Sequence, residues 1–233
     1  MSKSSWETIL SEAYASLEAD YQRFLEEDES YFPSRENYFN AFNTLPKEKV
    51  KYILFGQDPY PRKESAGGYA FIDTKVQNLF STSGLSKEVN RATSLRNFMK
   101  MALVASERLV SDDTSQEAIS KLDKRQMIDS IEDLRVNFEK NGVLLLNTAL
   151  IFTDKKSSKK HVKAWNPFVQ TLLKALEDDA PKLILFGTHA KDLKKQFSLD
   201  KFETIEIEHP YNHTFISNPK ALELFGPMHL LDI

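Results

Sequence analysis

Four apolar runs, Tyr52 to Phe55, Val143 to Leu146, Leu183 to Phe186 and Thr204 to Ile207, are each about as long as a β-strand. Segments with helical punctuation separate them, and this alternation constrains the fold more than any other feature of the chain. The first three runs are nearly unbroken apolar stretches, as expected of parallel strands covered by helices on both faces. Glu206 in the fourth run points instead to a more exposed edge. Arg125 to Asn141 sets Met127, Ile128, Ile131, Leu134 and Phe138 near one helical face, with Gly142 as a stop. Asn166 and Pro167 read as the cap and first residue of a helix over Phe168 to Leu176. Trp6 to Glu26 also has helical spacing, through Ile9, Tyr14, Leu17, Tyr21 and Phe24. The expected architecture is α/β: a single domain over residues 1–233, with a central, mainly parallel four-stranded sheet flanked by helices on both faces.

A chain of 233 residues with 41% hydrophobic content can bury a substantial core. Its 31 basic and 34 acidic side chains leave a net charge of −3, so no global charge signature marks a polyanion ligand. The distribution is uneven, however. Ser11 to Ser30 holds seven acids and one Arg, whereas Thr153 to Trp165 holds five Lys and one Asp, and its KKSSKK stretch reads as the nearest thing to a flexible loop. If that loop borders a ligand site it favours a polyanion. With no Cys there is no disulfide, Cys-ligated zinc or thiol nucleophile. The start lacks an apolar signal core, so a soluble, cytoplasmic protein with no membrane association is expected. Neither HExxH nor another His pairing for a metal occurs, and the GxxxxGK[ST], GxGxxG and GxSxG patterns are absent. No metal or other cofactor is expected.

Ligands of open α/β sheets gather beyond the carboxyl ends of the strands. Here those ends read GQDPY, NTAL, GTHA and HPYNH, all polar or turn-forming. Taken alone, Asp58 before Pro59 is first of all a turn residue. Gly56 and the stiff Pro59 and Pro61 equally suit a rigid acid serving as base or electrostatic stabiliser. Asn147 either bonds loop backbone or reads the edge of a base. By default His209 is a structural histidine, and Phe71 in AGGYAF is core unless its glycines set it against a planar ligand.

Together these motifs resemble the uracil-DNA glycosylases. GQDPY at Gly56 to Tyr60 looks like that family's water-activating motif, GVLLLNTAL at Gly142 to Leu150 like its uracil-reading strand, and His209-Pro210 like its DNA-intercalation loop. Lesser matches (YFPSRENYFNAF, AGGYAF, ATSL, AWNPF, FGTHA) extend the likeness in order from Trp6 to His229. The resemblance implies that Asp58 activates the attacking water and that His209 hydrogen-bonds the uracil oxygen that becomes anionic. It implies base contacts from Gln57, Tyr60, Phe71 and Asn147: Phe71 stacks on the base and Tyr60 occupies the space that thymine's methyl group needs. It further implies phosphate or duplex contacts from Ser94, Pro210, Tyr211, His213 and Thr214. Lys159 and Lys160 of the basic stretch are added as DNA contacts. The implied partner is uracil-containing DNA, single- or double-stranded, met by a monomer, with a proteinaceous glycosylase inhibitor as a candidate second partner.

Three departures stand out. Pro61 occupies the place of the family's His after GQDPY. HPYNHT stands where the family has HPSPLS, with Tyr211 in place of a Ser and His213 in place of the Leu wedge. The stretch from Ser81 to Ala92 lacks the expected prolines. These departures keep two rivals open: a catalytically weak glycosylase fold serving as a DNA-binding or replication accessory protein, and a glycosylase of altered base preference.

Overall fold

The computed structural model describes residues 5–233. Its strands are β1 (Tyr52–Gly56), β2 (Phe80–Ser81), β3 (Gly84–Leu85), β4 (Val143–Asn147), β5 (Lys182–Phe186) and β6 (Thr204–Ile207). The helices are α1 (Glu7–Ala15), α2 (Ala19–Glu27), α3 (Asn40–Thr44), α4 (Lys87–Arg91), α5 (Thr93–Ala105), α6 (Gln116–Ser120), α7 (Ile131–Lys140), α8 (Ser158–Ala175), α9 (His189–Gln196) and α10 (Pro219–Phe225). All four apolar runs join one parallel sheet in the order β4-β1-β5-β6. β1 pairs with β4 so that Tyr52 faces Val143 and Gly56 faces Asn147, and with β5 on its other side. The N–H groups of Leu183 and Gly187 donate to the carbonyls of Glu203 and Ile207, each at 2.8 Å, which places β6 at the edge expected from Glu206. The β2–β3 hairpin lies outside this sheet and had no signal in the apolar pattern.

Side-chain alternation explains the unbroken apolar runs. Ile53, Phe55, Leu144, Leu146, Leu183 and Leu185 enter a buried cluster with Trp6, Phe42, Trp165 and Phe168. Leu54, with its register partners Leu145 and Ile184, is buried on the opposite face. A strand buried on both faces has no place for a polar alternation. No helix among the described residues is long and apolar enough to cross a membrane.

The chain divides into two compact units, each built from discontinuous segments. The first comprises the described residues up to Asp73 together with Gly142–Leu185 and His189–Ile205; the second comprises Thr74–Asn141, Phe186–Thr188 and Glu206–Ile233. In the second, Phe98 packs edge-on to Phe225 at 5.0 Å between ring centroids, and tilted against Phe138 at 5.7 Å.

Three helix boundaries differ from the sequence expectation, each for a local reason. The N-terminal helix is two, because Ser16 turns its hydroxyl back onto the Ala13 carbonyl at 2.6 Å and Glu18 is extended. α7 starts at Ile131 rather than Arg125, where Ser130 and Asp133 form a reciprocal capping box. Met127 and Ile128 are still buried, but from extended backbone: Met127 bridges Asp232, and the Ile128 N–H donates to Leu231 at 3.0 Å. α8 starts at Ser158, so half of KKSSKK is helical rather than a loop and Pro167 lies inside the helix. An interior Pro costs about 3 kcal/mol. Burial of Phe168, Val169, Leu172 and Leu173 beyond it, at about 1.5–3 kcal/mol each, outweighs that cost.

Removing the α7 cap with Ser130→Ala should lower unfolding stability by about 1 kcal/mol, read as a shift in urea midpoint at unchanged slope.

Candidate active site

The loop after β1 is fastened to the loop after β4 within the first unit. The Thr148 N–H donates to Gly56 O and the Ala149 N–H to Gln57 O, both at 2.9 Å, while the Thr148 hydroxyl reaches Gln57 O at 2.8 Å. Gly56 is required for this closeness: a Cβ there would lie 2.2 Å from Asn147 Oδ1. The sheet register and the lack of a side chain thus place the Asn147 amide directly over the start of the GQDPY loop. Asn147 is only 6% exposed, and among the described residues no protein group hydrogen-bonds to its amide. A buried amide in that condition is open to an external partner.

Asp58 accepts a hydrogen bond from the hydroxyl of Ser158, the first residue of α8. Burial pushes the Asp58 carboxyl above its usual range, opposed by the Ser158 hydroxyl and by nearby His189. The amino end of an 18-residue helix also favours the anion. Burial holds His189 below the usual imidazole range. The ring is therefore neutral near pH 7, and its Nε2–H donates to the Gly56 carbonyl at 3.2 Å.

Tyr60 donates its hydroxyl to the Phe71 carbonyl at 3.1 Å, and burial moves its ionisation well above the ordinary tyrosine value. Phe71 has φ 68°, the left-handed region that a side chain rarely occupies. That strain, on the order of 1–3 kcal/mol, is sustained by the Tyr60 bond and by Ala70, whose N–H donates to Leu145 of β4 at 3.0 Å. Gln57 is exposed beside this wall, and Pro61 is exposed too. Lys159 and Lys160 are exposed on the first turn of α8. Lys159 joins Gln57, Lys163 and His189 in lining a cavity of about 300 Å³.

The second unit carries the remaining candidates. His209 is exposed, and its Nδ1 accepts from the Tyr211 N–H at 3.0 Å, so the neutral ring keeps its hydrogen on Nε2. Gly187 makes room for it, since a Cβ there would lie 2.9 Å from His209 Cβ. Pro210 is buried, whereas Tyr211 is 67% exposed and His213 is exposed. The Thr214 hydroxyl donates to Glu208 at 2.5 Å. Ser94 lies in the first turn of α5, near backbone N–H groups that suit an anion. Among the described residues, no cluster of three or more His, Asp or Glu is placed to hold a metal ion.

Beyond geometry, the family model described as the Uracil DNA glycosylase superfamily matches residues 42–225. This chain belongs to the uracil DNA glycosylase superfamily. Among solved structures, the wild-type UNG of Nitratifractor salsuginis is 55% identical to this superfamily member, with a TM-score of 0.96 over 98% of this chain and 92% of that one. Mimivirus uracil-DNA glycosylase, at 21% identity and a TM-score of 0.58, covers 88% of this chain and 68% of its own, and shares the fold. The uracil-DNA glycosylase of Streptococcus pyogenes serotype M4 is 28% identical over 190 residues, 78% of this chain and 72% of its own length. That of Borreliella burgdorferi strain ZS7 is 26% identical over 182 residues, 77% and 67%.

The structure thus groups Gln57, Asp58, Tyr60, Phe71, Asn147, Lys159 and Lys160 in the first unit of this glycosylase-superfamily chain, and Ser94 with the His209–Thr214 loop in the second. Sequence reasoning missed Ser158, which it read as part of a basic loop; only the early start of α8 brings it to Asp58. It also passed over His189, whose signal was present in GTHA at a strand end.

Ser158→Ala removes a donor to the charged form of Asp58, so the Asp58 carboxyl should titrate at higher pH than in the parent. Carboxyl ¹³C NMR of both proteins reads that shift.

Proposed function

We propose that this chain hydrolyses the N-glycosidic bond of deoxyuridine in DNA, releasing uracil and leaving an abasic site. The observation that carries this proposal is a superfamily member in which Asp58 is held at the head of α8 while the buried Asn147 amide has no hydrogen-bond partner among the described residues. A carboxylate made more basic by burial, yet supported as an anion by Ser158, suits orientation of an attacking water. As the bond between uracil N1 and the sugar C1′ breaks, the water oxygen bonds to C1′ and its proton passes to Asp58. Asp58 also offsets the positive charge developing on the sugar.

The departing uracil carries the electron pair as an anion. His209, with its hydrogen on Nε2, would donate to the oxygen where that charge collects. Asn147 Oδ1 would accept from uracil N3–H and Nδ2 would donate to O4; cytosine presents the reverse pattern and is rejected. Phe71 would stack on the flipped base and Tyr60 would exclude a 5-methyl group. Gln57 would contribute backbone to the base site. Ser94 would hold a flanking phosphate, with Lys159 and Lys160 as further phosphate contacts. Pro210 would shape the last loop, and Tyr211 and His213 would stand in for an apolar wedge. Thr214 would meet a phosphate only by releasing Glu208. Uracil-containing DNA is then both substrate and partner of a cytoplasmic monomer, with a proteinaceous glycosylase inhibitor as a candidate second partner.

Purified protein incubated with a uracil-containing oligonucleotide and then treated with alkali should cleave at the uracil, on single strands faster than on duplex. Cleavage no greater than that of Asp58→Asn on either substrate rejects the activity.

Reversing charge with Lys159→Glu and Lys160→Glu should weaken DNA binding and flatten the slope of log affinity against log salt by about 2. An unchanged slope would leave both lysines as solvated surface.

A further inference from the structure

Asn97 lies on α5, one turn after Ser94, with only 2% of its surface exposed. Its Nδ2 is 2.8 Å from the carbonyl oxygen of Pro210 and 3.2 Å from those of Tyr211 and Asn212. Three successive carbonyls therefore converge on one amino group with two hydrogens. Their dipoles repel one another unless a donor sits between them. The Asn97 Oδ1 is buried with no partner among the described residues, so the bonding of this amide seen there is all directed at the loop.

The shortest of the three contacts has a particular consequence. The Pro210 carbonyl and the Tyr211 N–H belong to one planar peptide unit. Asn97 holds the oxygen end of that plane at 2.8 Å, and the N–H end donates to His209 Nδ1 at 3.0 Å. Tilting the plane at one end moves the other. Glu208 fixes the far side of the same loop, accepting from Thr214 at 2.5 Å, Asn218 at 2.9 Å and Asn212 at 3.4 Å.

We propose that Asn97 is a positioning residue for His209: by fixing the Pro210–Tyr211 peptide it keeps His209 Nδ1 an acceptor, so that the ring presents its hydrogen from Nε2. This rests on the function assigned to His209 above. Since Ser94 stands one turn earlier on the same helix, the proposed phosphate contact and the histidine tautomer are set by one rigid element.

The test is ¹⁵N NMR of the imidazole nitrogens near neutral pH, with the His209 signals assigned by their loss in His209→Asn. In the parent protein His209 should show an unprotonated Nδ1 and a protonated Nε2; the opposite tautomer overturns the proposal without any Asn97 variant. Asn97→Asp keeps the shape but sets an oxygen against the three carbonyls, and His209 should then become a mixture of tautomers. On uracil-containing single strands its kcat should fall about tenfold or more with KM nearly unchanged, the pattern of a lost transition-state donor. A variant that retains the parent's melting temperature and His209 tautomer overturns the proposal, whatever happens to activity. If neither protein releases uracil yet the tautomer shifts, the positioning stands and the functional assignment fails.

Discussion

The parallel pairing of β1 with β4 is the constraint on which the candidate residues of the first unit depend. It ends with Gly56 opposite Asn147, and the ladder then continues past the strands as Thr148 and Ala149 donate to Gly56 and Gln57. Two loops from distant parts of the chain are thereby locked in one register. A shift of this pairing by one residue would turn Asn147 to the other face of the sheet and bring Leu146 opposite Gly56. The register is secured by burial of every β4 residue and by the core row of Ile53, Phe55, Leu144 and Leu146. Ala70 then pairs with Leu145 on the outer edge of β4, which ties the strained Phe71 to the same strand. Core burial thus fixes the position of a polar amide.

Two carboxylates show how environment divides labour between scaffold and chemistry. For Asp58 burial is the largest influence and prevails, raising the carboxyl although Ser158 and His189 pull the other way. For Glu208 burial again pushes upward, but donors from Thr214, Asn218 and Asn212 together outweigh it and the carboxyl lies below its usual range. A depressed folded-state value means that the stabilisation Glu208 gives its loop is present above the unfolded-state value and is lost as pH falls through the folded one. Acid therefore loosens the His209 loop at its Glu208 side. Asp58 responds in the opposite sense: its anion is the disfavoured form in the folded chain, which suits the proton-accepting role proposed for it.

Strands β1, β4 and β5 were legible because a parallel strand covered on both faces reads as an unbroken apolar run. Glu206 marked the edge strand by interrupting such a run with an exposed acid. Helix starts were less legible, since apolar spacing reports burial and not backbone state: Met127 and Ile128 are buried from extended chain, and Pro167 sits inside a helix that packing holds together on both sides of it. Asp58, Asn147 and His209 were singled out as candidates because each lies at the end of a strand or just after it. Ser158 and Asn97 were not, as each lies on a helix and acts through a hydrogen bond to a residue far away in sequence, Asp58 and Pro210. Neither periodicity nor motif spacing encodes such a partner.

The altered last loop is best understood through these distant bonds. An apolar wedge works by filling the space a flipped base leaves, and it asks little of its own loop. In HPYNHT the side chains of Asn212 and Thr214 instead turn back to Glu208, and three backbone carbonyls of the same turn are gathered by Asn97. The loop is thus stiffened from within, leaving Tyr211 as its one large exposed aromatic, with the His213 imidazole beside it. A stiff loop with an aromatic tip can stack on an already unpaired base, because stacking needs a face and not a gap. It is less suited to holding a duplex open, where unstacking must be offset by side-chain volume inserted between the bases. For the function proposed above, the polar clamp and the altered wedge position would therefore favour the same substrate, a uracil that is already single-stranded when it meets the protein.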